Sequence, residues 1–152
     1  MARIIIHGCN GAMGRVVSEI AREEDGMEIV AGIDLNTASV FGYPVFKSLE
    51  ECNVKADVVV DFASAQAVDR LLDYCAESGT GLVLCTTGLS EEQVKRAEKA
   101  AEKTAVLRSA NMSLGINTLL KLLKDAARVL AGAGFDIEVV EKHHNRKLDA
   151  PS

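Results

Sequence analysis

Arg3 Ile4 Ile5 Ile6 His7 Gly8 Cys9 Asn10 Gly11 Ala12 Met13 Gly14 Arg15 is the stretch on which the fold turns. Its first half is a β-branched run that stops at glycine, and Met13, Val16, Val17 and Ile20 then recur at helical spacing. A strand, a tight turn and a helix are expected. The turn reads GxxGxxG rather than the commoner GxGxxG. An acidic residue, Asp34, stands twenty positions beyond Gly14, after a second apolar run from Met27 to Ile33. Glycines let the backbone bend tightly and approach a pyrophosphate, while the helix N-terminus presents free N–H groups and a partial positive charge. A carboxylate placed like Asp34 accepts hydrogen bonds from ribose hydroxyls. The glycines alone leave a ligand-free turn open as the lesser alternative; strand, helix and Asp34 together favour a dinucleotide site more strongly.

Leu35 follows Asp34 where a site for a 2′-phosphate often carries arginine. NADH is therefore expected to serve at least as well as NADPH, and Arg15, within reach of a phosphate, is compatible with use of both.

Working outward, strand and helix alternate. Ala56 to Phe62, Gly81 to Cys85 and Ala105 to Arg108 read as further strands, almost wholly apolar as parallel strands covered on both faces are. Ser48 with Glu51, and Ser90 with Gln93, have the spacing of a capping box and mark helix starts. Val68, Leu71, Leu72 and Cys75 form one apolar face, leaving Asp69, Arg70 and Asp73 outside it. Glu91 with Lys95 and Glu92 with Arg96 read as i,i+4 pairs on a solvated helix. Ile116, Leu119, Leu120, Leu123, Ala127 and Leu130 mark a longer helix ending near Gly132 and Gly134, and Phe135 to Val140 reads as a last strand. Repeated βα units imply an α/β fold, a Rossmann-type doubly wound parallel sheet.

The 152 residues carry a net charge of −5 and only 4% aromatics, so they lack the basic, base-stacking surface of a nucleic-acid binder. No apolar run approaches the length of a membrane span, and MARIIIHG has neither the length nor the cleavage site of a signal peptide. A cytoplasmic address and a small-metabolite partner are expected. Cys9, Cys52, Cys75 and Cys85 show no CxxC spacing, and neither a metal site nor a disulfide framework is indicated.

Against this acidic background, five of the six side chains from Lys142 to Lys147 are cationic or can become so, and two of the three histidines lie there. An imidazole delivers a proton near neutral pH, and lysine supplies a fixed charge for a carboxylate. Taken alone, the cluster reads equally well as a solvated strand end.

The chain resembles the dihydrodipicolinate reductase family along essentially its whole length. The resemblance rests on the Gly8 to Gly14 turn, Val59 to Phe62, Thr86 Thr87 Gly88, Ala110 to Asn117 and Glu141 to Ser152. The last is the specific element: HisHis, two residues, Lys, one residue, then AspAlaProSer. The resemblance implies hydride transfer from NADH or NADPH to 4-hydroxy-tetrahydrodipicolinate, a cyclic dicarboxylate of lysine and diaminopimelate biosynthesis, with no metal. It implies His143 as proton donor and acceptor, Lys147 as second proton donor and His144 as a substrate-binding residue. Cofactor contacts fall on Gly8, Cys9, Asn10, Gly11, Ala12, Met13, Gly14 and Asp34, on Cys85, Thr86 and Thr87, and on Ser109, Ala110, Asn111 and Met112. A homotetramer is implied as well.

Departures from the family pattern are Cys85 in place of glycine, Ala63 and Ala65 in place of Thr and Pro, and Met112 in place of Phe. A thiol at Cys85 with another at Cys9 raises the idea of redox-sensitive cofactor binding, against the plainer reading of small fillers. The family continues past AlaProSer with GlyThr. Residues 1–112 are thus expected to be a dinucleotide-binding domain and 113–152 the start of an incomplete α+β substrate domain, a fragment that binds cofactor with little turnover alone. Two other functions fit part of the sequence: another Rossmann dehydrogenase of a small amino acid or sugar, and a non-catalytic NAD-sensing module. Neither uses the terminal cluster.

Overall fold

The computed structural model describes residues 1–140 and 142. It forms two compact units, Met1–Ala110 and Asn111–Ser152.

The first unit is built on β1 (Ala2–His7), α1 (Ala12–Ala21), β2 (Met27–Ile33), β3 (Val45–Phe46) and β4 (Val58–Asp61). A single 3₁₀ turn then leads into α2 (Val68–Ser78), followed by β5 (Gly81–Leu84), α3 (Glu91–Ala100) and β6 (Val106–Arg108). The six strands lie in the order β3-β2-β1-β4-β5-β6, and each adjacent pair is parallel. The chain leaves β1 on one side for β2 and β3, then crosses back to β4 on the other. The crevice at the carboxyl ends of β1 and β4 is therefore the switch point, where doubly wound sheets bind ligands.

Alternate residues of the central strands feed two cores, because side chains on a strand have a period of two. Ile5, Ala31, Ile33 and Val59 pack with Val68, Leu71, Leu72 and Cys75 of α2 and with Ala97 and Ala100 of α3. Ile4 and Ile6 pack on the opposite face with Cys9, Tyr43, Val17 and Val60. Helices on both faces explain why these strands are apolar throughout, and each fully buried Ile or Leu contributes about 1.5–3 kcal/mol.

The helix expected after the glycine turn forms as α1, and three other expectations need correction. The periodicity located α1, but its buried positions are Gly14, Ser18 and Ala21, whereas Met13, Val16 and Ile20 are exposed. Small residues let the helix lie close to the sheet. Ser48 caps a turn instead of a helix: its Oγ accepts from Glu51 N at 3.4 Å, and the chain must at once run toward β4. Arg96 binds Asp69 and Asp73 of α2, each at 2.7 Å, in place of Glu92. Phe135 to Val140 form no strand, since no second strand among the described residues offers them ladder hydrogen bonds.

The Ser90 capping box forms in both directions, with Gln93 N donating to Ser90 Oγ at 3.2 Å and Ser90 N donating to Gln93 Oε1 at 3.1 Å. In the second unit α4 spans Leu114–Gly132, as its apolar spacing predicts, and Ser113 Oγ caps it by accepting from Ile116 N at 3.4 Å.

Candidate functional site

The turn after β1 is shaped by two close approaches. Gly8 has φ +81°, and a Cβ there would sit 2.9 Å from the carbonyl carbon and oxygen of Phe62. A Cβ on Gly14 would collide with the Gly8 oxygen and come within 2.7 Å of Cys9 Cα. These glycines let the turn fold back on α1 and against the loop after β4. Gly11 is the N-cap of α1 and supplies no side-chain acceptor, so the first-turn amides are not capped. An uncapped helix start on an open glycine turn is the geometry that receives a pyrophosphate.

Asp34 follows the last residue of β2 and is tied to this turn. Its Oδ2 accepts from Asn10 N at 3.0 Å and its Oδ1 from Asn36 N at 3.0 Å. A carboxylate has roughly four lone-pair sites, so both oxygens keep capacity for ribose hydroxyls. Asn10 Nδ2 also donates to Asn36 O at 2.6 Å and Ala38 O at 3.1 Å, and Arg15 Nε donates to Asn10 O at 3.0 Å. Asn10 thus fixes the spacing between the glycine turn and Asp34. A groove of about 580 Å³ runs from His7, Gly8 and Gly11 past Asp34 and Leu35 to Lys47 and, on its other wall, Phe62 and Arg70.

Beneath the groove is a buried polar network that the sequence reading did not assign to the site. Asp61, fully buried at the end of β4, lies 2.7 Å from His7 Nδ1 and accepts from Thr86 Oγ1 at 2.6 Å and Ala63 N at 3.2 Å. A carboxylate only accepts, so His7 Nδ1 carries the hydrogen. Asp61 therefore joins the ends of β1, β4 and β5. An acidic residue ending the wholly apolar run Val58 Val59 Val60 was the available signal, because a buried carboxylate needs partners.

The candidate cofactor residues fall into three groups. Gly8, Cys9, Asn10, Gly11, Ala12, Met13, Gly14 and Asp34 are together around the turn. Cys85, Thr86 and Thr87 follow β5, and Ser109, whose N donates to Leu84 O at 3.1 Å, and Ala110 follow β6. Asn111 and Met112 belong to the second unit. His143, His144 and Lys147 lie outside the described residues.

Cys9 and Cys85 are poor nucleophiles here. Burial first, and then the Asp34 charge, push the Cys9 thiol up to about 11. Burial, and then Asp61, also raise Cys85. Cys9 is 1% exposed, with its Sγ against Gly32, and acts as a protonated filler.

Sheet order, switch-point groove and glycine cradle define a Rossmann-type dinucleotide-binding domain. The family described as dihydrodipicolinate reductase, N-terminus, matches residues 2–112, and its C-terminus matches residues 115–152. The chain belongs to the dihydrodipicolinate reductase family.

It is 52% identical, over its whole length, to the 4-hydroxy-tetrahydrodipicolinate reductase of Caldanaerobacter subterraneus subsp. tengcongensis and 43% identical to that of Clostridium tetani. It spans 59% of the length of each of these relatives. Among solved structures, the dipicolinate-bound dihydrodipicolinate reductase from Paenisporosarcina sp. TG-14 superposes with a TM-score of 0.78 at 31% identity, covering all of this chain and 62% of that one. A biliverdin reductase from Synechocystis, at 20% identity and a TM-score of 0.60 over 71% of this chain and 37% of its own, shares the fold.

Proposed function

We propose that this chain carries the cofactor site, and the beginning of the substrate site, of a 4-hydroxy-tetrahydrodipicolinate reductase acting in lysine and diaminopimelate biosynthesis. The observation that carries this reading is the uncapped start of α1 on the Gly8–Gly14 turn with Asp34 hydrogen-bonded beside it, in a chain matched by both segments of the reductase family. The residues fit a nicotinamide dinucleotide: backbone amides of the turn for the pyrophosphate and Asp34 for the adenosine ribose. NADH is proposed to serve at least as well as NADPH. The nicotinamide, when bound, supplies a hydride to the substrate.

The chain's own residues manage the proton and the carboxylates. The 4-hydroxyl leaves as water to give a conjugated imine, hydride addition to that imine leaves an enamine-like centre that must be protonated, and His143 is assigned that proton transfer. Lys147 is assigned the second proton donation and His144 the binding of the dicarboxylate. Cys85, Thr86, Thr87, Ser109, Ala110, Asn111 and Met112 are assigned to the nicotinamide end. The dinucleotide domain is proposed to run over 1–112 and the substrate domain to begin at 113, in a cytoplasmic homotetramer.

Product identification tests the reading: the enzyme carrying this sequence is incubated with the cyclic dicarboxylate and NADH. Tetrahydrodipicolinate formed in step with NADH oxidation is the expected result. Oxidation of NADH with an amino-acid or sugar partner instead would assign a different dehydrogenase.

A further inference from the structure

Asp34 poses an electrostatic problem for NADPH, because a carboxylate holding the ribose hydroxyls repels a phosphate on the 2′ position. The next residue, Leu35, is 89% exposed and brings no charge. The sheet supplies what the local sequence lacks. β3, only Val45–Phe46, pairs in parallel with β2 in the register Gly32↔Val45 and Ile33↔Phe46, and Asp34 N donates to Phe46 O at 3.0 Å. The residue after β3 therefore comes up beside Asp34, one strand spacing of about 4.8 Å across. That residue is Lys47.

We infer that Lys47, placed by β3 beside Asp34, is the specificity-determining residue that admits the 2′-phosphate of NADPH, an inference that rests on the proposed cofactor reading of this groove. Lys47 lines the same groove as Asp34 and Leu35, is exposed, and makes no ion pair among the described residues, so its ammonium is available to a ligand. The other charged groups lining the groove are Glu50, Arg70 and His7. Arg70 lines the groove from α2, which follows β4, whereas Asp34 and Lys47 directly follow β2 and β3. Of these charged groups, only Lys47 directly follows the strand that pairs with β2, at whose end Asp34 stands. A lysine acts there as a flexible point charge, which tolerates a 2′-phosphate without requiring one. NADH and NADPH are then both accepted.

The test is a titration of the full chain with NADH and with NADPH, for the parent, Lys47→Ala and Lys47→Arg, with thermal melts to check folding. Lys47→Ala should weaken NADPH about five- to tenfold and NADH by less than about twofold, as expected for loss of one charge-assisted contact. Lys47→Arg should restore NADPH binding. The parent's NADPH affinity should also fall more steeply with salt than its NADH affinity, and Lys47→Ala should remove that difference. Equal loss for the two dinucleotides, or no loss of NADPH affinity in folded Lys47→Ala, overturns the assignment while leaving the groove a cofactor site. Failure of the folded parent to bind either dinucleotide overturns the cofactor reading and this inference with it.

Discussion

His7 Nδ1 and Asp61 Oδ1, from adjacent strands, stand 2.7 Å apart, and the carboxylate is wholly buried. The pair closes a network with Thr86 that ties the ends of β1, β4 and β5 below the groove. Asp61→Ala strands both partners and should destabilise the fold by about 2–4 kcal/mol. Thr86→Val should cost about 1–2 kcal/mol, and the double variant should lose less than the sum. Urea unfolding followed by circular dichroism measures all three. Strict additivity would mean that the two residues do not act as one network.

The glycine turn makes a separable prediction. Gly14→Ala forces a Cβ into the Gly8 and Cys9 backbone, so it should cost about 1–3 kcal/mol and abolish dinucleotide binding. Gly132→Ala meets open space in α4 and should be neutral or stabilise by up to about 1 kcal/mol. Thermal melts of the two variants compare them directly. Equal stability would place Gly14 in a roomier turn than the one described.

Alkaline pH should weaken the protein through its buried thiols. Cys9 is pushed up to about 11 and Cys75 to about 12 from an ordinary value of 9.0, in both cases first by burial. Above pH 9 the unfolded chain releases these protons while the folded chain retains them. The stability they contribute is therefore complete below pH 9 and falls as pH rises through the folded values. By pH 10 the loss should be about 1 kcal/mol per thiol. Urea midpoints at pH 8 and pH 10 measure it, and Cys75→Ala should flatten the slope; an unchanged slope would remove Cys75 as its source.

Proton delivery is assigned to the terminal cluster. In the enzyme carrying this sequence, His143→Gln should slow single-turnover hydride transfer about 100-fold or more, the range of a lost general acid. Stopped-flow absorbance of NADH follows this step. A wild-type rate would take His143 out of the mechanism. Lys147→Ala should lower kcat strongly, and an unchanged kcat would leave Lys147 a bystander.

What was legible in the sequence follows its length scales. β1, α1 and β2 could be read from Arg3 to Asp34 because each is long enough to show a period, and the acid at the end of β2 has a fixed local spacing from the glycines. β3 is two residues long and shows no period, so the position of Lys47 beside Asp34 emerged only from strand pairing. Asp61 and Thr86 are 25 residues apart and meet through a sheet register that no local pattern encodes. Apolar spacing found α1 but not its packed face, since Gly14, Ser18 and Ala21 make close contact without looking hydrophobic. Charge spacing likewise pointed Arg96 at Glu92, whereas the neighbouring helix offered it two carboxylates.

The Gly8–Gly14 turn and Asp34 are proposed to form a nicotinamide dinucleotide site. Calorimetric titration of the folded chain with NADH tests it most directly. Saturable binding to one site per chain, competed by NAD+ and lost in Gly14→Ala, is the expected result. No saturable binding to the folded parent chain, or undiminished binding to folded Gly14→Ala, would contradict it.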